Sequence, residues 1–449
     1  MVPLKQLVKC VAVMAFFSVS IIASDSADVK ITPTGYGALE VGQIEQGYWY
    51  AGGGGGVAQP MSHVWQQRAF MDIGYDALVK KRLQLEFTGE GAIAFSTPQI
   101  GGEPQTLQPR QFFYINSAFA LYPFGNIENP YLRIQFGYFP YKYNPDVRNL
   151  GEYLFRTNTY PLVVYSDFDY PKARLLGGRI NLRLPNKILE NDLLINSDLL
   201  GVPVQDWSIS DVLSCNLFDA LTIGAGISFD HYLSVYQGQY PSKWLDSYFY
   251  PENVSDDDAN KPSLYIRNNG DTALFDWKGL KTMLRLSFDP KKFIPVNIFG
   301  SNDLKLYAES DIIGTKNYPK YYDHIEDRIL TSVGFNVPGF KVVDLINIEL
   351  EYCRNNTAFY DGGFFGSQPP AITPLDTTSL GYKINRDPWR WSVYVKKTIL
   401  DGHIGFIGQV AHDHKKLNFY YFQLADMSFI ESLPKAQDIW WVLKTEFYF

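Results

Sequence analysis

Hydrophobic and polar residues alternate along this chain in short, repeated runs. Over the last residues Ile439, Trp441, Leu443, Thr445, Phe447 and Phe449 fall on every second position. Trp440, Val442, Lys444, Glu446 and Tyr448 fall between them. A period of two makes this a β-strand with one oily face and one face carrying two charges at its centre. The same rhythm recurs upstream. Leu83, Leu85 and Phe87 interleave with Arg82, Gln84, Glu86 and Thr88, and Leu132, Ile134, Phe136 and Tyr138 interleave with Arg133 and Gln135. Ile346, Ile348, Leu350 and Tyr352 interleave with Asn347, Glu349 and Glu351, and the charges of Lys305, Glu309 and Asp311 share one face.

The pattern predicts strands over 34–44, 67–78, 82–95, 111–122, 131–140, 173–184, 192–199, 207–217, 221–232, 280–289, 303–313, 328–337, 345–354, 389–400, 402–411 and 438–449. The connections alternate between mostly short turns (79–81, 123–130, 185–191, 218–220, 290–302, 338–344, 401) and mostly long loops (45–66, 96–110, 141–172, 200–206, 233–279, 314–327, 355–388, 412–437). A soluble sandwich also alternates. Here, however, each wet face carries charges of both signs, which a dry interior would not tolerate. The faces therefore line water, the oily faces meet lipid, and a sheet in lipid must close on itself to pair its backbone. The expected fold is all-β: an antiparallel transmembrane barrel of about sixteen strands, with short periplasmic turns and long extracellular loops.

The two ends of the chain fit this. Lys5 and Lys9 precede an apolar run from Cys10 to Ala23, which reads as a secretory signal peptide over 1–23 followed by one barrel over 24–449. Without Lys5 and Lys9 the formal charge goes from -7 to -9, which disfavours a nucleic-acid partner. Beyond the leader no apolar stretch of about 18 residues offers a spanning helix. The 31 Tyr, 31 Phe and 9 Trp would supply two aromatic girdles. Cys215 and Cys353 read as isolated thiols.

The closing strand with its terminal aromatic, the leader and the hairpin rhythm together resemble the Gram-negative porin family. Thr445 departs from that family, which usually has an apolar residue there. The resemblance implies a cell outer-membrane protein inserted by the outer-membrane assembly machinery, with Phe449 as the assembly signal. It implies a water-filled lumen passing small polar solutes and ions, a homotrimer in outer-membrane lipid, and no cofactor. It also implies that the third outer loop, 141–172, folds into the lumen. Asp146, Arg148, Glu152, Arg156, Asp167 and Asp169 would then form the constriction. The alternative for these six is a solvated surface loop.

Arg133, Arg179 and Arg183 come from neighbouring strands with interior parity, and Lys444 and Glu446 share the interior face of the last strand. The arginines read either as an anion-attracting wall or as a structural ladder paired with nearby carboxylates. Other functions stand beside the general porin. Tyr48, Trp49, Tyr50, Tyr153, Phe155 and Tyr160 are candidates for a sugar-stacking path in a sugar-specific porin. The long loops also suit a surface adhesin or a structural barrel. Catalysis is disfavoured, because no Ser or Cys sits in a nucleophile motif. His412-Asp413-His414 places its two imidazoles on opposite faces if extended, so it reads as a solvated loop start and not a metal site. Gly35-Tyr36-Gly37 and Gly224-Ala225-Gly226 lie inside strands and read as thinned strand faces.

Overall fold

The computed structural model describes residues 28–50, 58–97, 99–100, 103–104, 110–156, 164–166, 171–184, 188–197, 207–233, 263–266, 272–275, 279–294, 296–312, 315, 325–353, 387–415 and 432–449. The predicted leader, Asp167, Asp169 and Tyr160 lie outside these residues. Sixteen long strands form the barrel. They are β1 (Val29–Tyr50), β2 (Ala58–Val79), β3 (Leu83–Thr97), β4 (Arg110–Gly125), β5 (Pro130–Tyr141), β6 (Pro171–Arg183), β7 (Leu189–Ser197) and β8 (Trp207–Leu217). They continue as β9 (Leu221–Leu233), β10 (Gly279–Phe288), β11 (Leu306–Ile312), β12 (Ile329–Val337), β13 (Leu345–Cys353), β14 (Trp389–Ile399), β15 (Ile404–His412) and β16 (Trp440–Tyr448). Every predicted strand is present. Three short strands at 99–100, 103–104 and 164–166 extend the same sheet within loops.

Each strand pairs antiparallel with the next. β1 pairs with β16 from Tyr36↔Tyr448 to Ile44↔Trp440, so no edge is left open. Alternation sorts side chains as the sequence predicts. On β13, Asn347, Glu349 and Glu351 are fully buried, while Ile348, Leu350 and Tyr352 are exposed on the outer surface. On β5, Gln135 points inward and Phe136 outward. Apolar side chains at this density over a whole outer surface belong in hydrocarbon. No helix among the described residues is long and apolar enough to cross a membrane.

The seam explains the last residue. Gly35 and Phe449 exchange both backbone hydrogen bonds, at 2.9 and 3.1 Å. A Cβ on Gly35 would lie 2.2 Å from the Phe449 ring, so the missing side chain makes room for the terminal aromatic. Gly224 likewise makes room for Arg285, as a thinned strand face should. Cys215 and Cys353 are both free thiols.

Two expectations are corrected. The first hairpin is much longer than 34–44 and 67–78: its ladder runs to Tyr50↔Ala58. Past Ile44 the strand carries Glu45, Gln46 and Gly47, and paired backbone continues where the two-faced pattern fades. Trp440 and Val442 sit on the wet face by parity but are buried inside, clustered with Ile44, Met61, Val64 and Leu433. At that end the interior is packed and not filled with water.

Candidate functional site: the lumen and its inserted loop

After β5 the chain turns inward. Residues 142–156 end in one short helical turn, Tyr153–Arg156, and lie inside the barrel against the interior faces of β9 to β13. Two wall carboxylates grip the loop backbone. Glu349 on β13 accepts from the amides of Arg148 (2.6 Å), Asn149 (2.7 Å) and Leu150 (2.7 Å) and from the Tyr307 hydroxyl (2.5 Å). Glu309 on β11 accepts from the amides of Glu152 (2.6 Å) and Tyr153 (3.2 Å), from the Tyr143 hydroxyl (2.8 Å) and from Asn144 Nδ2 (2.7 Å). Hydrogen bonds to a charged acceptor are the strong ones, and several converging on one oxygen pair fix a backbone in place. Between the two clusters the chain reverses through Gly151 and Glu152, with φ of +122° and +63°.

Further ties complete the grip. Asp146 accepts from Ser287 Oγ (2.6 Å) and Lys305 Nζ (3.1 Å). Burial alone would raise the Asp146 carboxyl, but Lys305 and the Ser287 hydrogen bond outweigh it and hold the group below the usual carboxylate range. Asn149 Nδ2 donates to Asp413 (2.6 Å), which also accepts from Trp440 Nε1 (2.7 Å). Lys142 donates to the Val147 carbonyl (2.6 Å), and its burial pulls the ammonium down to about 8, against the opposing pull of Glu152.

Two expectations fail at this loop. Tyr153 and Phe155 are buried beneath it, Tyr153 with Leu330 and Cys353, and Phe155 in a second cluster with Tyr141 and Tyr143. Neither ring faces a solute path, because the loop's own packing consumes it. His412-Asp413-His414 is not a solvated loop start either. His412 is fully buried, with its ring nitrogens facing the Asp438 carbonyl (2.7 Å) and Arg390 (3.0 Å), and His414 meets Glu351 at 2.7 Å. Tertiary contacts that no local pattern encodes hold the triplet as a bracket beside the loop. No cluster that could hold a metal ion occurs among the described residues.

Toward the turn end the lumen holds a cavity of about 650 Å3, lined by side chains of β1 to β4, β6, β13, β14 and β16, by Ser301, Asn302 and Asp344 at the turns and by Arg148 of the loop. Lys444 and Glu446 both line it. Lys444 reaches Glu40 (3.5 Å) and Glu446 (3.4 Å) and lies over the Tyr36 and Phe70 rings, while Lys396 pairs with Glu446 at 2.7 Å. Arg68 pairs with Glu90 at 2.5 Å. Two like-charged pairs, Asp72↔Glu90 and Asp76↔Glu86, stand directly opposite each other on β2 and β3. Arg148 donates to the Pro145 (3.1 Å) and Val147 (3.5 Å) carbonyls. It forms no ion pair with a carboxylate among the described residues.

The three wall arginines sit elsewhere. Arg179 makes a bidentate pair with Asp192 (2.7 and 2.9 Å), and Arg183 pairs with Glu190 at 2.6 Å. Arg133 lies beside both carboxylates and both arginines. The ladder reading fits this arrangement, and none of the three lines the open cavity. Sequence reasoning counted Glu309 and Glu349 only as lumenal anions. Their loop-holding role lacks any local signal, because the amides they bind lie more than 150 positions away.

No family model matches the chain, and no curated protein matches it. Solved structures similar to it include a variant of the Rh. blastica porin, at 8% identity and a TM-score of 0.41, covering 93% of this chain and 100% of that one. Another is Salmonella typhi OmpF in complex with daunomycin, at 11% identity and a TM-score of 0.42, covering 94% of this chain and 98% of that one. A likeness this distant carries no weight on function, and the fold rests on the strand pairing itself. Sixteen antiparallel strands closed without an edge, an outer surface of exposed apolar side chains and a charged lumen that holds residues 142–156 make this chain a closed transmembrane β-barrel.

Proposed function

We propose that this barrel is a diffusion channel of the outer membrane for small polar solutes and ions, with the 142–156 loop as its constriction. The observation that carries the proposal is the half-filled lumen: one wall is covered by the gripped loop, while the other faces an open, charge-lined cavity. A plugged or structural barrel would have no use for an open lane lined by Asp72, Glu90, Arg148, Lys396, Lys444 and Glu446. Charges of both signs on opposite sides of a narrow lumen orient polar solutes and reject apolar ones. Arg148 is the cation the loop presents. Arg133, Arg179 and Arg183 act as wall structure, and Asp146 and Glu152 act by shaping the loop.

A second reading, a sugar-specific channel, draws on Tyr36, Phe70, Tyr394 and Tyr448, whose rings line the same cavity beside charged groups. Aromatic faces with polar neighbours suit pyranose rings. Single-channel recording of the purified protein in a planar bilayer tests both. Steady open current with no response to sugars is expected for a general pore, and saturable block by sugars would favour the second reading. A folded barrel without conductance would overturn the channel.

A further inference from the structure

The connections β10–β11 and β12–β13 at the turn end are unlike the other turns. The first runs over 289–305 and the second over 338–344, and the two are welded together. Asp303 is fully buried, and its Oδ2 accepts from the Gly300 amide (2.8 Å) and, across the gap, from the Phe340 amide (3.1 Å). Lys341 Nζ donates back to Asn297 O (2.6 Å) and Oδ1 (2.9 Å). Phe299 and Phe340 stack, with centroids 5.9 Å apart. Lys291 ties its short helical turn down onto Ser301 O at 2.9 Å. This is a built surface, not a loose loop.

Its outer side is apolar. Phe293 (65%), Ile294 (36%), Val296 (48%), Ile298 (52%), Phe340 (54%) and Val342 (73%) are all exposed. Tight turns expose fewer, Phe218 on one and Ile399 with Leu400 on another. Six apolar side chains on a rigid scaffold form a patch that water does not favour. The patch is continuous with the barrel's outer belt. Phe293 stacks on Phe288 at 6.1 Å, and Phe288 shares the outward face of β10 with Leu284 and Leu286. Lys292 and Lys341 stand among these side chains and are exposed.

We infer that this double turn is a lipid-docking platform: it buries its apolar side chains at the acyl–headgroup boundary and sets Lys292 against anionic headgroup phosphates. Continuity with the belt and the apolar-plus-basic chemistry both select a bilayer surface as the occupant. The inference rests on the barrel's placement in lipid and is independent of what passes through the lumen.

The test places a bimane label at Val342→Cys in a full-length chain carrying Cys215→Ala and Cys353→Ala. The barrel is reconstituted in phosphatidylcholine vesicles with and without phosphatidylglycerol. Labels at Val333→Cys, in the belt, and at Asp401→Cys, on a tight turn, are the references. The label at 342 is expected to be quenched by brominated lipid and shielded from aqueous iodide, as at 333, whereas 401 shows the reverse. Lys292→Glu is expected to weaken the lipid quenching at 342 in phosphatidylglycerol vesicles only. Iodide quenching at 342 equal to that at 401 would overturn the platform, as would shielding from both quenchers, which would mean a protein cover. Failure of the 333 label to report lipid would instead refute the membrane placement. Val342 is largely exposed, so the label there disturbs no packing.

Discussion

The two halves of the lumen carry the same kinds of residue and use them differently. On β11 and β13, Glu309 and Glu349 spend their oxygens on backbone amides of the inserted loop, and cations play little part. On β3, β14 and β16, Glu90, Glu446, Lys396 and Lys444 pair with one another or with Arg68 and line the cavity, and Glu40 on β1 pairs with Lys444. The difference teaches that a lumenal charge is not by itself a selectivity element. What decides its role is whether a backbone reaches it. A carboxylate facing several amides becomes a structural anchor, and one facing side chains across open space remains part of the path.

Four perturbations would break or sharpen this contrast. The seam between β1 and β16 closes the barrel, so deleting Phe449 should have the largest effect. It removes both hydrogen bonds to Gly35 and the ring filling the space above it. A steep loss of heat-modifiable folded protein in membranes is expected, and normal yield would show that the seam closes without it. Next comes Glu309→Ala with Glu349→Ala. Each buried donor left unpaired costs about 1–3 kcal/mol, so the loop should leave its wall. Single-channel conductance should rise by a factor of about two or more as the covered half of the lumen opens. Unchanged conductance in a correctly folded barrel would mean that the loop holds its place by packing alone.

Smaller effects should separate the cations. Arg148→Glu should move the reversal potential in a salt gradient toward cation selectivity. Arg133→Gln should move it far less, because Arg133 stands in the ladder away from the cavity. Equal shifts would erase the distinction between path and wall. The smallest effect concerns Lys142. Burial depresses its ammonium from 10.5 to about 8. Below pH 8 both the folded and unfolded states carry the proton, and folding bears the cost of the buried charge. Between about 8 and 10.5 the unfolded chain holds a proton that the folded loop has released, so loop stability rises with pH over that window. The protection of the 142–156 amides relative to the free-amide exchange rate at each pH should rise correspondingly, and Lys142→Met should abolish the change. No slope over that window would place Lys142 in water, and a slope of the opposite sign would mean that an ion pair stabilises its charge.

The outer half of every strand was legible from sequence alone. Lipid imposes one rule on each outward side chain, so Leu83, Phe87, Phe136, Ile348 and Leu350 announce their face without reference to any partner. The parity of Arg133, Lys444 and Glu446 followed from the same rule. The position of the third loop could be expected from its order in the chain. Its contacts could not, because Glu349 meets Arg148 only after eight strands have closed the distance between them. For the same reason the sequence misjudged Tyr153, Phe155 and His412-Asp413-His414: their environment is made by segments remote in the chain.

What the sequence by itself determined is the barrel: strand number, the alternation of faces, and a closed sheet. These depend on local alternation and on a solvent that cannot pair a free backbone. Only the tertiary structure decided which lumenal charges hold the loop, which pair along the wall and which line the path. That choice is made by distances between residues hundreds of positions apart, and no local pattern records such distances.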